Sequence, residues 1–290
     1  MTTGLLTTNY NTWHLSEQCI QHCLDFADDN IEEFVVVDDC SDEIFSNQFK
    51  NVNLICNPKN YGLVKSLNIG LTALNTDLVI LFDSDAWPLE NYIKKTKDYF
   101  QNNPKVGIAA YRTEKVQGEI SPAFEAEPDF FSVLLGQKLH KYYQQIFNRN
   151  PKRITVYTCA MVLRNEVLKE IGGFDEKYDW LELDHDICMR AMRSGWEVGV
   201  IPVRAFHKGS GTPQLVSKRV IRFYQNRIKL LKKFKKYPAP LLLNGLIVMR
   251  LSFEYMLINI FGRIKYSDSI RKDKSHSRST LISCFLKGQI

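Results

Sequence analysis

Leu78-Val79-Ile80-Leu81-Phe82-Asp83-Ser84-Asp85 is an apolar run of five that ends on two carboxylates one residue apart. A continuous apolar run suits a strand buried on both faces, as in a parallel sheet. Past its end, Asp83 and Asp85 can both face the strand's open end and hold a hard divalent cation that grips phosphates. That is the chemistry a nucleotide-sugar site needs. A D-x-D triplet occurs by chance in many loops, so its weight comes from the order of the signals around it.

Upstream, Gly4 to Thr8 is a short apolar start, followed by the turn Asn9-Tyr10-Asn11. Leu15 to Phe26 reads as a helix with Leu15, Cys19, Ile20, Cys23 and Leu24 on one face. Glu33 to Val37 reads as a buried strand stopping at Asp38-Asp39-Cys40-Ser41, and Val52 to Cys56 as the next. The loop Asn57 to Gly62 then leads into a helix from Leu63 to Leu74. Downstream, the pattern predicts a helix over Tyr92–Asn102, a strand over Gly107–Tyr111 and helix within Phe131–Phe147. Thr155 to Leu163 follows as one apolar run, then a short helix closed by Gly172-Gly173 and a helix over Asp184–Ser194. Val198 to Ile201 leads to a loop holding His207. Strands alternating with helices of this length predict an α/β domain with a mostly parallel, Rossmann-like sheet flanked by helices. Ligands in such sheets bind beyond the strand ends.

The chain of 290 residues, 44% hydrophobic, can bury a full core. Its seven cysteines are scattered without C-x-x-C spacing, which suggests neither a zinc site nor a disulfide framework and fits a reducing compartment. The N-terminus has no basic stretch leading into a long apolar one, so no signal peptide is expected. Leu241 to Phe261 is apolar but carries Asn244, Arg250, Glu254 and Asn259, and is expected to be a poor bilayer span. The net charge of +6 is unevenly distributed: Val203 to Ile290 carries 19 Lys/Arg against 3 Asp/Glu. The composition changes near residues 205–215, which predicts a domain over 1–212 and a basic helical extension over 213–290.

Six segments in order resemble the family 2 glycosyltransferases of the GT-A fold. They are Leu6 to Asn11, Val35 to Ser41, Asn57 to Gly62 and on to Asn68, Leu81 to Asp85, Gly172 to Glu176, and Leu183 to Arg190. The resemblance covers roughly residues 4 to 212, and the tail is similar to that of rhamnosyltransferase-type members. It implies an inverting, metal-dependent transfer of a sugar from a nucleotide-diphosphate donor to a hydroxyl of a glycan or lipid-linked acceptor, in surface-polysaccharide assembly. By the same resemblance Thr8 and Tyr10 contact the nucleoside, Asp39 accepts the base's imide N–H, and Lys65 reaches base or phosphate. Asp83 meets the ribose hydroxyls or the metal's water shell, and Asp85 binds Mn²⁺ or Mg²⁺ with His207 completing the site. Asp184 is the general base, which must lie within hydrogen-bond reach of the acceptor hydroxyl. The family presents Glu-Asp there; Leu183 stands in place of the glutamate, with Glu182 one position earlier.

Other residues are read more plainly. Asp186 and Arg190 are an i, i+4 pair, Asp38 is structural, and Trp87 and Trp180 pack in the core or stack on sugar. Gly209-Ser210-Gly211 lacks the length of a nucleotide fingerprint and is expected to serve as a flap over the diphosphate.

Lys218 to Lys236 mixes nine cations with apolar side chains and lacks any nucleic-acid-binding motif, so no nucleic acid is expected. Two readings are open for it: a solvated helical face, or an amphipathic helix on an anionic lipid surface. The second implies a cytoplasmic enzyme, peripheral on the inner face of the membrane. The alternatives for the whole chain are a nucleotidylyltransferase-type enzyme and a non-catalytic scaffold that binds glycan or membrane.

Overall fold

Four β-branched and aliphatic runs near the N-terminus form the parallel half of the sheet: β1 (Thr3–Asn9), β2 (Glu33–Asp38), β3 (Asn53–Cys56) and β4 (Leu78–Asp83). The computed structural model describes residues 1–290 apart from 44–48, 116–118, 122, 148–150 and 210–215. The boundary expected after residue 212, and Ser210 and Gly211 of the expected flap, lie outside the described residues.

Helices α1 (Trp13–Asp25) and α2 (Leu63–Ala73) connect these strands. β5 (Ala86–Pro88), α3 (Ile93–Asn102), β6 (Val106–Glu114) and β7 (Phe124–Ala126) follow. Next come α4 (Phe131–Leu134), α5 (Gly136–Phe147), β8 (Ile154–Val156), β9 (Ala160–Arg164), α6 (Asn165–Ile171), α7 (Leu183–Arg193) and β10 (Glu197–His207). The chain ends in α8 (Val216–Lys233), α9 (Pro240–Lys265) and α10 (Asp268–Leu286).

The eight-stranded sheet runs in the order β3-β2-β1-β4-β9-β6-β10-β5. Its β1–β2, β1–β4, β2–β3 and β6–β10 pairs are parallel, whereas β9 runs antiparallel to both neighbours and β5 antiparallel to β10. The parallel register sets Thr8 beside both Val37 and Asp83, and Asn9 beside Asp38, so these polar residues share one edge of the sheet. The interior behind that edge is made of fully buried side chains such as Val36, Ile80, Tyr92 and Tyr111. Cys19 and Cys23 are buried there too, in keeping with their spacing on α1.

Several local expectations are corrected. His207 does not sit in a loop; it ends β10, which continues past Ile201 through a register shift between Ile201 and Arg204 and then pairs with β5. The run Thr155 to Leu163 is two strands in different sheets, because β8 pairs with β7 and β9 with β4 and β6. The helix expected within Phe131–Phe147 is broken at Gly136, whose φ of 73° favours glycine.

The chain divides into two compact units: Met1–Glu127 with Lys152–Gly211, and Pro128–Pro151 with Thr212–Ile290. In the second unit, the apolar side of α8 is internal, with Phe223, Tyr224, Ile228, Leu230 and Leu231 all buried. Segment 240–265, expected to be a poor span, meets the length and composition of one. It is an unbroken 26-residue helix with a mean hydropathy of 1.6 over its most apolar window, long and apolar enough to cross a bilayer. Its polar residues are held by partners rather than interrupting it: Asn244 accepts from the Tyr237 hydroxyl, Arg250 pairs with Glu254, and Asn259 bonds Ser275.

Candidate active site

Three strand-end loops are tied together by a polar network centred on Asn9, which is 2% exposed. Its amide nitrogen donates to Asp38 Oδ1 at 2.8 Å and to Ser41 Oγ at 2.9 Å. Its amide oxygen accepts from Thr12 Oγ1 at 3.0 Å and Ser16 Oγ at 2.8 Å. Thr12 Oγ1 also reaches Ser84 Oγ at 3.1 Å, linking the loop after β1 to the one after β4. Asp38 thus orders the loops after β1 and β2. Asn11, Cys40 and Glu182, all in loops of this region, take positive φ of 54°, 64° and 76°. Such backbone costs about 1–3 kcal/mol per residue and collects at functional sites.

The acidic cluster lies at the end of β4. Asp83, Asp85 and His207 each offer a ligand atom, and these atoms lie within 4.8 Å of one another. His207 stands opposite Ala86 in the β10–β5 pair, which brings its Nε2 to 3.5 Å from Asp85 Oδ1. The short strand β5, unforeseen from the sequence, therefore assembles the cluster. Burial pushes the Asp83 carboxyl up to about 6; the charges of Asp85 and Asp184 add to this and His207 opposes it. Crowded, desolvated carboxylates beside an imidazole form a donor set suited to a hard or borderline divalent cation such as Mn²⁺.

Asp184 is the second residue of α7, in the first turn, where the helix dipole favours an anion. Its Oδ1 accepts from the His185 backbone N–H at 2.8 Å. Burial raises its pKa above the ordinary carboxylate value, with His185 pulling it down and the charges of Glu182 and Glu125 pushing it up. Cys159, on the turn between β8 and β9, lies beneath the cluster; its thiol is pushed well up by burial and by the charges of Asp83, Asp184 and Asp85.

The other expected residues are distributed along the same strand ends. Thr8 is half-buried between Val37 and Asp83, whereas Tyr10 is 51% exposed. Asp39 is buried, and its Oδ1 accepts from Asn57 Nδ2 at 2.9 Å and the Tyr61 N–H at 2.8 Å. Its Oδ2 accepts the Gly62 N–H at 2.8 Å, in a turn where Gly62 has a φ of 86°. Lys65 is exposed, with its Nζ 4.3 Å from the centroid of the Tyr61 ring. Trp87 stacks on His22 and Phe206 as a packing residue.

Sequence reasoning missed one cluster. His185, 5% exposed, places Nδ1 2.7 Å from Thr155 Oγ1 and Nε2 3.7 Å from Glu125 Oε2. Glu125 and Thr155 are directly opposed in the β7–β8 pair, so His185 ties that strand pair to the start of α7 next to Asp184. The only local hint was a histidine at an inward position of a helix.

Asp186 and Arg190 form the expected pair. Arg190 Nε lies 2.7 Å from the fully buried Asp186, and its other nitrogens donate to the carbonyls of Ile171 and Gly173 at 2.8 and 2.7 Å. Removing one partner of such a pair costs about 3–5 kcal/mol. Asp186→Ala is therefore expected to lower the unfolding free energy by about that amount in a denaturant titration. An unchanged midpoint would refute the assignment.

The profile of "Glycosyl transferase family 2" matches residues 5–172, more than half of the chain. The chain belongs to this family. A dTDP-rhamnosyl transferase, RfbF, of Shigella flexneri is 26% identical over 236 residues, covering 77% of this chain and 75% of RfbF. A pre-mycofactocin glycosyltransferase of Mycobacterium tuberculosis is 27% identical over 207 residues, covering 63% of this chain. The chain spans 42% of the length of that relative. Among solved structures, the mannosyltransferase PcManGT of Pyrobaculum calidifontis, in complex with GDP-Man and Mn²⁺, superposes with a TM-score of 0.56 at 13% identity. That match covers 99% of this chain and 86% of PcManGT and shows the shared GT-A fold. In this family 2 glycosyltransferase, then, the sheet is the GT-A sheet, the acids gather at its strand ends, and a helical extension follows.

Proposed function

We propose that this glycosyltransferase moves a sugar from a nucleoside-diphosphate donor to a hydroxyl of a glycan or lipid-linked acceptor, with inversion, in surface-polysaccharide assembly. The observation that carries the reading is the convergence of Asp83, Asp85 and His207 within 4.8 Å, with the charge of Asp184 felt at Asp83. RfbF supports the choice of a deoxyhexosyl or hexosyl donor, and PcManGT supports Mn²⁺; Mg²⁺ serves the same donor set.

Asp85 and His207 would hold the ion, and Asp83 the ribose hydroxyls or the ion's water shell. When bound, the ion supplies Lewis-acid stabilisation of the charge that develops on the departing diphosphate. Thr8 and Tyr10 flank the nucleoside. Asp39 Oδ2 carries one internal donor and keeps a lone pair for the N–H of a base. Lys65 and Tyr61 lie at the start of α2, where a cation and an aromatic face can meet base or phosphate. Asp184 takes the proton from the acceptor hydroxyl as the new glycosidic bond forms on the face opposite the leaving group. Its raised pKa makes it a better base than an ordinary solvated carboxylate. A basic second unit suits attachment to an anionic membrane on the cytoplasmic side, where lipid-linked acceptors are met.

The test is product stereochemistry. With a panel of dTDP-, GDP- and UDP-sugars, Mn²⁺ and lipid-linked acceptor extract, NMR of the product should show the anomeric configuration opposite to the donor's. Retention of configuration would overturn the single-displacement mechanism.

A further inference from the structure

Helix α9 turns two unlike faces. Leu243, Ile247 and Leu251 are buried in the second unit, on the side that carries Arg250 and Glu254. Opposite them, Leu242, Met249, Phe253, Met256, Ile260 and Ile264 recur at steps of three, four and seven, so they share one face of the helix. They are exposed by 64%, 64%, 57%, 45%, 59% and 86% respectively. At 1.5 Å per residue the stripe is about 33 Å long. A soluble helix places polar groups on such a face.

The charge around the stripe indicates what covers it. Exposed Lys232 and Lys235 precede α9, and exposed Arg263, Lys265 and Lys272 stand at its far end. Cations at both ends of an apolar face complement the phosphates of an anionic bilayer. A protein partner would have to match the same length of apolar surface between two basic ends.

The packing also decides between spanning and lying flat. Helix α10 runs along the inner side of α9, with Arg278 on Glu254 at 3.1 Å and Ser275 bonded to Asn259. Arg271 packs against Gly262. Were α9 to cross the membrane, α10 would carry Arg271, Lys272, Asp273, Lys274 and Arg278 into the hydrocarbon with it, which charged side chains oppose strongly. The apolar side of α8 is already internal, so α9 rather than α8 offers the apolar face.

We propose that α9 lies in the plane of an anionic bilayer as a monotopic anchor, its outer stripe among the acyl chains and its end cations among the lipid phosphates. This rests on the membrane-attached reading above and names the element and the mode of attachment.

The experiment is flotation of the full chain with vesicles of phosphatidylcholine alone and of an equal mixture with phosphatidylglycerol. The wild type should float with the anionic vesicles. The exposed-site variant Met249→Gln/Phe253→Gln/Ile260→Gln should lose about tenfold or more of the bound fraction, with its circular dichroism unchanged. Leu242→Trp, Phe253→Trp and Ile264→Trp should each gain quenching by lipids brominated high on the acyl chain, to similar extents. Equal flotation of the triple variant would show attachment by charge alone and overturn the proposal, as would a wild type that never floats. Quenching that is deepest at position 253 and shallow at both ends would mean a span and would equally overturn it. Nucleotide binding by the same preparations reports the catalytic reading separately, so either can fail alone.

Discussion

Asp184→Asn is expected to lower turnover by about a hundred- to ten-thousandfold, the usual contribution of a positioned general base, and to leave nucleotide binding intact. Asparagine keeps the size of the side chain and, through its carbonyl oxygen, the acceptor that receives the His185 N–H at 2.8 Å. What it loses is the ability to take a proton. The residue lies in the first turn of α7, and the apolar contact there is made by Leu183, buried at 2% exposure, so the change leaves the packing of the helix alone. Steady-state rates with saturating donor and acceptor, paired with nucleotide titrations, separate the outcomes. Turnover within a fewfold of wild type would remove Asp184 from the chemistry. Should neither protein turn over any donor, the non-catalytic scaffold becomes the better description.

The second large effect is at Asp85. Without a cation, Asp83 holds a proton up to about pH 6 in the folded chain, against an ordinary value of 3.8. A carboxyl raised in this way stabilises the fold fully below its unfolded pKa. That contribution is lost as pH rises through the folded value, because the unfolded chain then binds fewer protons than the folded one. A divalent ion at this cluster competes with that proton. Mn²⁺ is therefore expected to raise the melting temperature little below about pH 5 and clearly above about pH 7. In Asp85→Ala the shift should vanish at both, since the buried carboxylate 3.5 Å from His207 Nε2 is gone. Differential scanning calorimetry across that pH range reads the effect. A Mn²⁺ shift that is independent of pH, or retained in the variant, would place the ion elsewhere.

Much of this site was legible because its residues follow apolar runs. The run Leu78 to Phe82 fixes where Asp83 and Asp85 emerge, and the run Phe34 to Val37 does the same for Asp38 and Asp39. Asp184 was named by the resemblance of Leu183 to Arg190 to the family's segment, and the structure places it in the first turn of α7. His207 was identified as a residue but not in its setting. Pro202 reads as a strand breaker, yet it falls within the irregularity between Ile201 and Arg204 where no ladder bond is needed, and β10 runs on to β5. The Glu125–His185–Thr155 cluster was illegible because β7 and β8 are separated by a segment that belongs to the second unit. No local pattern reports such a pairing. In α9, four polar residues looked like interruptions in one dimension; in the helix all four, Asn244, Arg250, Glu254 and Asn259, have partners, and the outer stripe stays apolar. Asp39 was named by the resemblance, and its three internal hydrogen bonds depend on a turn at Gly62 that spacing does not reveal.

The central claim is a metal-dependent nucleotide site at the end of β4. Its most direct test is isothermal titration of UDP, GDP, dTDP and CDP into wild type and Asp85→Ala, each with and without Mn²⁺. The expected result is tight binding of one nucleotide by the wild type in Mn²⁺ only, lost in the variant. Binding of that nucleotide by folded Asp85→Ala as tightly as by wild type, or of none of the four by folded wild type in Mn²⁺, would contradict it.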